Sequence, residues 1–149
     1  RRIATAGVNV AEVAATVYQN RSIGKVRMTG ALLNQMQLCC DGRIAILRMD
    51  DSLLQKTGCL PDDMDGLINM PLSAKSVQAV IMVRNENMRI RVSMRSKNNI
   101  DVRQVAITYG GGGHRNAAGF STTLPQQKLE SELLKQVRQA LDLTNRPKL

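Results

Sequence analysis

The sequence is poor in the side chains from which most active sites are built. It has one histidine, His114, no tryptophan and a single phenylalanine among 149 residues. A site made of several imidazoles is therefore excluded. Metal-assisted phosphoester cleavage needs carboxylates and histidines gathered around divalent ions, and no such set is visible. Aromatic platforms for stacking a long single strand are nearly absent, with Tyr18, Tyr109 and Phe120 as the whole supply. The cysteines Cys39, Cys40 and Cys59 form no Cys-x-x-Cys pair. That removes zinc spacing and a disulfide framework, and fits reduced thiols buried as small apolar groups in a cytoplasmic protein. No apolar run approaches the roughly 20 residues of a membrane helix, so no membrane partner is expected. No hydrophobic stretch follows Arg1-Arg2-Ile3, so the paired arginines are not an export signal.

What the chain has is positive charge. Lys and Arg number 21 against 12 Asp and Glu, a formal net charge of +9, with 43% hydrophobic and 22% charged residues. This is the composition of a basic globular domain that binds anions. The absence of an initiating methionine reads as a piece of something longer.

Apolar spacing predicts a helix over residues 9–20, capped by Asn9 with Glu12 three positions on, and carrying Val10, Val13, Ala14 and Val17. A second helix is expected over 22–39, with Val26, Leu32, Leu33, Met36 and Cys40 as apolar positions and Gly42 as its stop. Residues 43–49 read as a strand, and Asp50-Asp51-Ser52 opens a short helix that ends at Gly58. Pro61 with Asp62, Asp63 and Asp65 marks another helix start, so both acid clusters read as capping charges. Residues 77–83 are nearly continuous apolar, as in a strand covered on both faces. After a turn at 84–87, residues 88–96 alternate. Met88, Ile90, Val92 and Met94 share one face, and Arg89, Arg91, Ser93 and Arg95 the other. A short helix over 101–109, a last strand from Ala117 and an amphipathic helix over 125–143 with Leu129, Leu133, Val137, Ala140 and Leu141 inward complete the chain. The mixture predicts an α/β fold, a mixed β-sheet flanked by helices.

The chemistry concentrates at Gly110-Gly111-Gly112-Gly113-His114. Four successive glycines lose much backbone entropy on folding, so something there requires an unshielded main chain. A bound anion approached by N–H groups is one answer, with His114 donating to it. A plain surface turn is the other. Neither a Walker A loop nor a dinucleotide fingerprint fits. Residues 84–115 hold seven basic and two acidic side chains, +5 of the total +9. Arg89 and Arg91 read as charges solvating an outer sheet face. Arg95 ends its strand beside Ser96 and Lys97, where a guanidinium can grip a phosphate bidentately.

The run Gly110 to Gly119, GGGGHRNAAG, resembles the GGGH-x-x-A-x-G signature of the DHHA1 domain, the C-terminal half of DHH-family phosphoesterases. Val92 to Lys97 and Ile100 to Ala106 are similar to the strand, arginine-serine pair and helix that lead into it. The resemblance is specific over about residues 67–124. It implies a substrate-binding domain over 23–149. Residues 1–22 then form a connecting helix and the tail of a DHH catalytic domain of the same polypeptide, which is the expected partner. It implies substrate contacts from Arg95, Ser96, Gly111, Gly112, Gly113, His114 and Asn116, and manganese held by the other half. No Asp-His-His run occurs in this chain, so it is expected to carry no catalytic residue or metal ligand and to hydrolyse nothing alone.

Within the family the chain is most similar to the short two-domain oligoribonuclease type, which also acts on 3′-phosphoadenosine 5′-phosphate. The expected ligands are then short RNA or nucleotide phosphates. Cyclic dinucleotide phosphodiesterases and single-strand exonucleases share the signature. A non-enzymatic nucleotide-binding module and a homodimer paired along the hairpin edge are the remaining alternatives.

Overall fold

The computed structural model describes Gly7 and residues 9–144. Among the described residues, five α-helices and two 3-10 helices accompany one six-stranded sheet. Helices α1 (Val10–Tyr18) and α2 (Ile23–Asn34) precede strands β1 (Gln37–Cys39) and β2 (Ile44–Met49). Helix α3 (Asp51–Thr57) and the 3-10 helices Pro61–Met64 and Leu67–Ser73 then lead to β3 (Ala79–Glu86) and β4 (Arg89–Ser96). Helix α4 (Val102–Thr108), β5 (Gly112–His114), β6 (Ala117–Thr122) and α5 (Gln126–Thr144) follow. The spatial order is β1-β2-β3-β4-β6-β5. Only β2 and β3 are parallel, and the connection between them carries α3 and both 3-10 helices.

The sheet separates two cores. On one face Ile81, Val83, Val92, Met94 and Phe120 meet Leu129, Leu133, Val137 and Leu141 of α5 and Val102, Val105 and Ala106 of α4. On the other, Ala45, Leu47 and Val80 meet Met28 and Leu32 of α2 with Leu67 and Ile68 of the second 3-10 helix. Alternation along β4 is as expected from Ile90 onward: Ile90, Val92 and Met94 are buried, and Arg91, Ser93 and Arg95 take the opposite face. However, β3 extends through Glu86, so the turn falls at 87–88 instead of 84–87 and leaves Met88 90% exposed. Asp50 caps α3 through the amide of Leu53, 2.8 Å, and Gly58 closes it in the left-handed conformation.

Five expectations are corrected. The helix expected over 22–39 stops at Asn34, because residues 37–39 pair with β2 as an edge strand. Gly42 belongs to the turn between them, at φ +76°, and is no helix cap. The inward residues of α2 are Gly24, Met28 and Leu32, whereas Val26 is exposed. The apolar residues Val10, Val13 and Val17 of α1 are exposed too, and α1 buries no residue. Finally, the glycine run is not a free loop, since Gly112 to His114 form the edge strand β5.

Candidate phosphate-binding groove

The register sets out the site row by row. Across the face shared with α2, Leu47, Met82, Ser93, Gly119 and Gly112 stand opposite one another on successive strands. The row on one side runs Met49, Arg84, Arg91, Ser121, and the row on the other runs Ala45, Val80, Arg95, Ala117, His114. The side chains of the central row shrink from leucine to glycine. Where they are large, α2 and the second 3-10 helix cover them. Where they are small the face is bare and forms a groove of about 520 Å³, lined by Arg91, Ser93, Arg95, Gly112, Gly119 and Ser121 among others. With strands about 4.8 Å apart, Arg95 and His114 stand about 10 Å apart on opposite sides of Ala117.

The glycines divide by what surrounds them. A Cβ at Gly111 would strike the carbonyl of Gly119 and come within 2.5 Å of Phe120 Cβ. One at Gly113 would lie 2.5 Å from the Ala117 carbonyl oxygen, and one at Gly119 2.6 Å from that of Val92. The unshielded main chain is thus required by neighbouring strands of the same protein. Gly110, at φ +77°, turns the chain out of α4. Gly112 alone in the run has neither a close neighbour nor a positive φ, and it opens on the groove. Behind this hairpin the rings of Tyr109 and Phe120 stack at 4.4 Å, 8° from parallel. Burial and then the Glu132 carboxylate raise the Tyr109 phenol above its ordinary pKa, so it remains a neutral hydrogen-bonding group.

Arg91 and Arg95 make no ion pair among the described residues. Arg95 Nη1 donates to the carbonyl of Met94 at 2.9 Å, which fixes one edge of its guanidinium and leaves its charge uncompensated. Arg84 Nε is buried 3.2 Å from Glu86 Oε1, without the alignment of a hydrogen bond. Two unpaired guanidiniums over a floor without side chains attract an anion and let it reach the main chain. His114 is exposed at the far rim.

Ser96 and Asn116 sit differently. Ser96 is on the opposite face of β4, 8% exposed, and its hydroxyl donates to the Ile100 carbonyl at 2.7 Å. Asn116 Nδ2 donates to Ser96 Oγ at 2.9 Å and to the Asn98 carbonyl at 3.0 Å. Together they clamp the link from β4 to α4 onto the start of β6. The structure therefore brings Arg95 and Gly112 into one groove, sets His114 on the edge strand beside it, opposite the groove residue Ala117, and places Ser96, Asn116, Gly111 and Gly113 in its support. Sequence reasoning missed Arg91 and Ser93 as groove residues, although their alternation with Arg95 already placed all three on one face.

Among the described residues no three His, Cys, Asp or Glu side chains come together as metal ligands, so these residues do not fit a manganese site. No described helix is long and apolar enough to cross a membrane. A second depression, about 530 Å³ between α4 and α5 on the other face, is lined by neutral polar and apolar groups with Asp101 as its one charge, so it lacks cations for a phosphate.

An exopolyphosphatase-related protein from Bacteroides fragilis superposes with a TM-score of 0.79 at 24% identity, over 93% of this chain and 42% of that one. A pGpG-specific phosphodiesterase, PggH, from Vibrio cholerae gives 0.59 at 13% identity, over 78% and 40%. Both likenesses concern the fold. In sequence, the bifunctional oligoribonuclease and PAP phosphatase NrnA of Mycoplasma genitalium is 46% identical over 48 residues, 32% of this chain and 15% of that protein. The chain thus spans less than half the length of each. The model of the DHHA1 domain matches residues 41–143, from the turn before β2 through most of α5 and including every groove residue. With the β4–β6–β5 ladder and its glycine signature in place, the chain belongs to the DHHA1 domain family.

Proposed function

We propose that this chain is the substrate-holding part of a DHH-type phosphoesterase that hydrolyses short oligoribonucleotides and 3′-phosphoadenosine 5′-phosphate. The observation that carries the reading is the bare floor of Ser93, Gly119 and Gly112 between the unpaired guanidiniums of Arg91 and Arg95 and the imidazole of His114. Such a floor suits one phosphate and its nucleotide better than a long strand, because the one aromatic residue in its lining, Phe120, is buried in the core on the other face and stacked on Tyr109, leaving no ring for successive bases. Arg95 and Arg91 take the non-bridging oxygens, Gly112 lets the ligand approach the main chain, and His114 donates from the edge strand. These groups bind and orient. Manganese and the residues that use it belong to a DHH half on the same polypeptide, with residues 1–22 as the connection, and the enzyme works in the cytoplasm. The 48-residue match to an oligoribonuclease supports the substrate class.

The test joins this chain to its catalytic half and assays manganese-dependent cleavage of di- to pentaribonucleotides, 3′-phosphoadenosine 5′-phosphate, cyclic dinucleotides and long single-stranded DNA. The short RNAs are expected to be cleaved fastest, and the isolated chain to cleave none. Faster cleavage of cyclic dinucleotides or long DNA would move the protein to another branch of the family. Nucleotide binding with no cleavage by the joined protein would make it a binding module.

A further inference from the structure

A third depression adjoins the groove. About 290 Å³ in volume, it shares Arg91, Ser93 and Arg95 with the groove and continues over Met49, Met64 and Met82 toward the second 3-10 helix, with Asp65 as its one acidic lining residue. The shared residues form the boundary between two unlike floors. On one side Ser93, Gly119 and Gly112 offer no side chain larger than a hydroxymethyl. On the other, Met82 stands directly opposite Ser93 on β3, and Met64 arrives from the end of the first 3-10 helix. Both methionines are only partly buried against the core beneath them, so each presents surface to the depression.

We infer that this methionine-lined depression is a nucleobase subsite, occupied by the base of the nucleotide whose phosphate lies on Arg91 and Arg95. The inference rests on the phosphate-binding reading of the groove and adds where the rest of the ligand goes. A thioether is polarizable and adapts its shape, and it packs favourably against the flat face or edge of an aromatic ring. The guanidinium of Arg84, which also lines the depression, supplies a planar cationic surface of the kind that stacks on bases. Three anionic phosphate oxygens have no use for an apolar wall, whereas a base does. The juxtaposition of two unpaired arginines with a thioether shelf thus matches the two ends of a nucleotide. It also supplies stacking in a chain with almost no aromatic residues.

The experiment titrates the 149-residue chain with adenosine 5′-monophosphate and with ribose 5-phosphate, which differ only in the base. Methionine methyl resonances are observed throughout, with Met64 and Met82 assigned by leucine substitution. The nucleotide is expected to bind about tenfold more tightly, a gain within the range of base stacking. Its ring should shift the Met64 and Met82 methyls, which ribose 5-phosphate leaves in place. Met64→Gln and Met82→Gln should each shrink the difference between the ligands and leave ribose 5-phosphate binding unchanged. If neither ligand binds, the phosphate-binding reading fails and takes the subsite with it. Equal binding of the two, unmoved methyls, or a tenfold difference that survives both substitutions overturns the subsite alone. Should either glutamine variant fail to fold, the methyl shifts of the unaltered protein decide.

Discussion

Two halves of one sheet face have the same backbone and opposite uses. Near β2 and β3 the face carries Ala45, Leu47 and Val80, and it is sealed by α2 and the second 3-10 helix. Near β4, β6 and β5 the central row continues as Ser93, Gly119 and Gly112, and no helix among the described residues covers them. The difference is side-chain size at a fixed register. Large apolar groups recruit a covering layer because their burial is worth about 25 cal/mol per Å². Glycine and serine offer little such area, and flanking arginines resist being covered at all, since a buried unpaired charge is costly. A bare, cationic patch is therefore what the covered layer leaves behind where the row runs out of carbon.

The strongest way to break this contrast is within the glycines. Gly111→Ala places a methyl group against the Gly119 main chain and Phe120, and neither can yield without parting β5 from β6. A loss of about 3 kcal/mol is expected, at the upper end of overpacking costs, read as a lower urea midpoint. Gly112→Ala has open space, so its stability should change by no more than about 0.5 kcal/mol. Its affinity for adenosine 5′-monophosphate should nonetheless fall about tenfold, because the added methyl occupies the floor. Equal effects at the two positions would show that the floor is not where ligand lies.

A smaller effect separates the groove from its support. Arg95→Ala removes a charge that no carboxylate balances, so nucleotide affinity should fall by about 1–3 kcal/mol while the urea midpoint holds. His114→Ala should act in the same sense. Ser96→Ala should do the reverse, since it breaks the 2.7 Å bond to Ile100 and leaves the Asn116 amide with only the Asn98 and Ile100 carbonyls as acceptors. A stability loss of about 1–2 kcal/mol is expected there, with ligand affinity reduced only as far as the loop loosens.

Much of this architecture was legible beforehand. The period-two pattern of 88–96 put Arg91, Ser93 and Arg95 on one face, and Asp50 and Gly58 bounded α3 where local chemistry required. What escaped was non-local. Residues 37–39 continue a helical pattern, and only pairing with β2 turns them into strand. The glycine run signals an unshielded main chain, but the sequence offers only a bound anion or a surface turn as its cause. The partners are Gly119, Phe120, Ala117 and Ala118, brought close by a hairpin that no spacing announces. Whether Arg91 faced solvent or a groove depended on how far α2 and the second 3-10 helix reach across the sheet, which its own strand does not encode.

The smallest effect lies at the other end of the sheet, where an arginine does find its carboxylate. Arg48 on β2 donates from Nε to Glu130 Oε1 at 2.9 Å and from Nη2 to Glu130 Oε2 at 2.6 Å, and also to Gln37 at 2.8 Å. It thereby ties β1 and β2 to α5. Burial by itself would raise the Glu130 pKa, but hydrogen bonds from Arg48 and Gln126 and the Arg48 charge hold it below its ordinary value. A carboxyl depressed in the native state contributes stability that is full above its unfolded pKa, about 4.3, and is lost as pH falls through the native value. Glu130→Gln should therefore cost about 1 kcal/mol at neutral pH, a modest figure because Arg48 is 38% exposed and solvent screens the pair. The cost should shrink below about pH 4, where the wild-type carboxyl is itself being protonated. Urea midpoints of the two proteins should converge as the buffer is acidified, whereas nucleotide affinity at neutral pH should be the same in both. A Glu130→Gln protein that bound nucleotide more weakly would mean that the paired arginine and the unpaired ones belong to a single electrostatic unit, and the two halves of the sheet would no longer be separable.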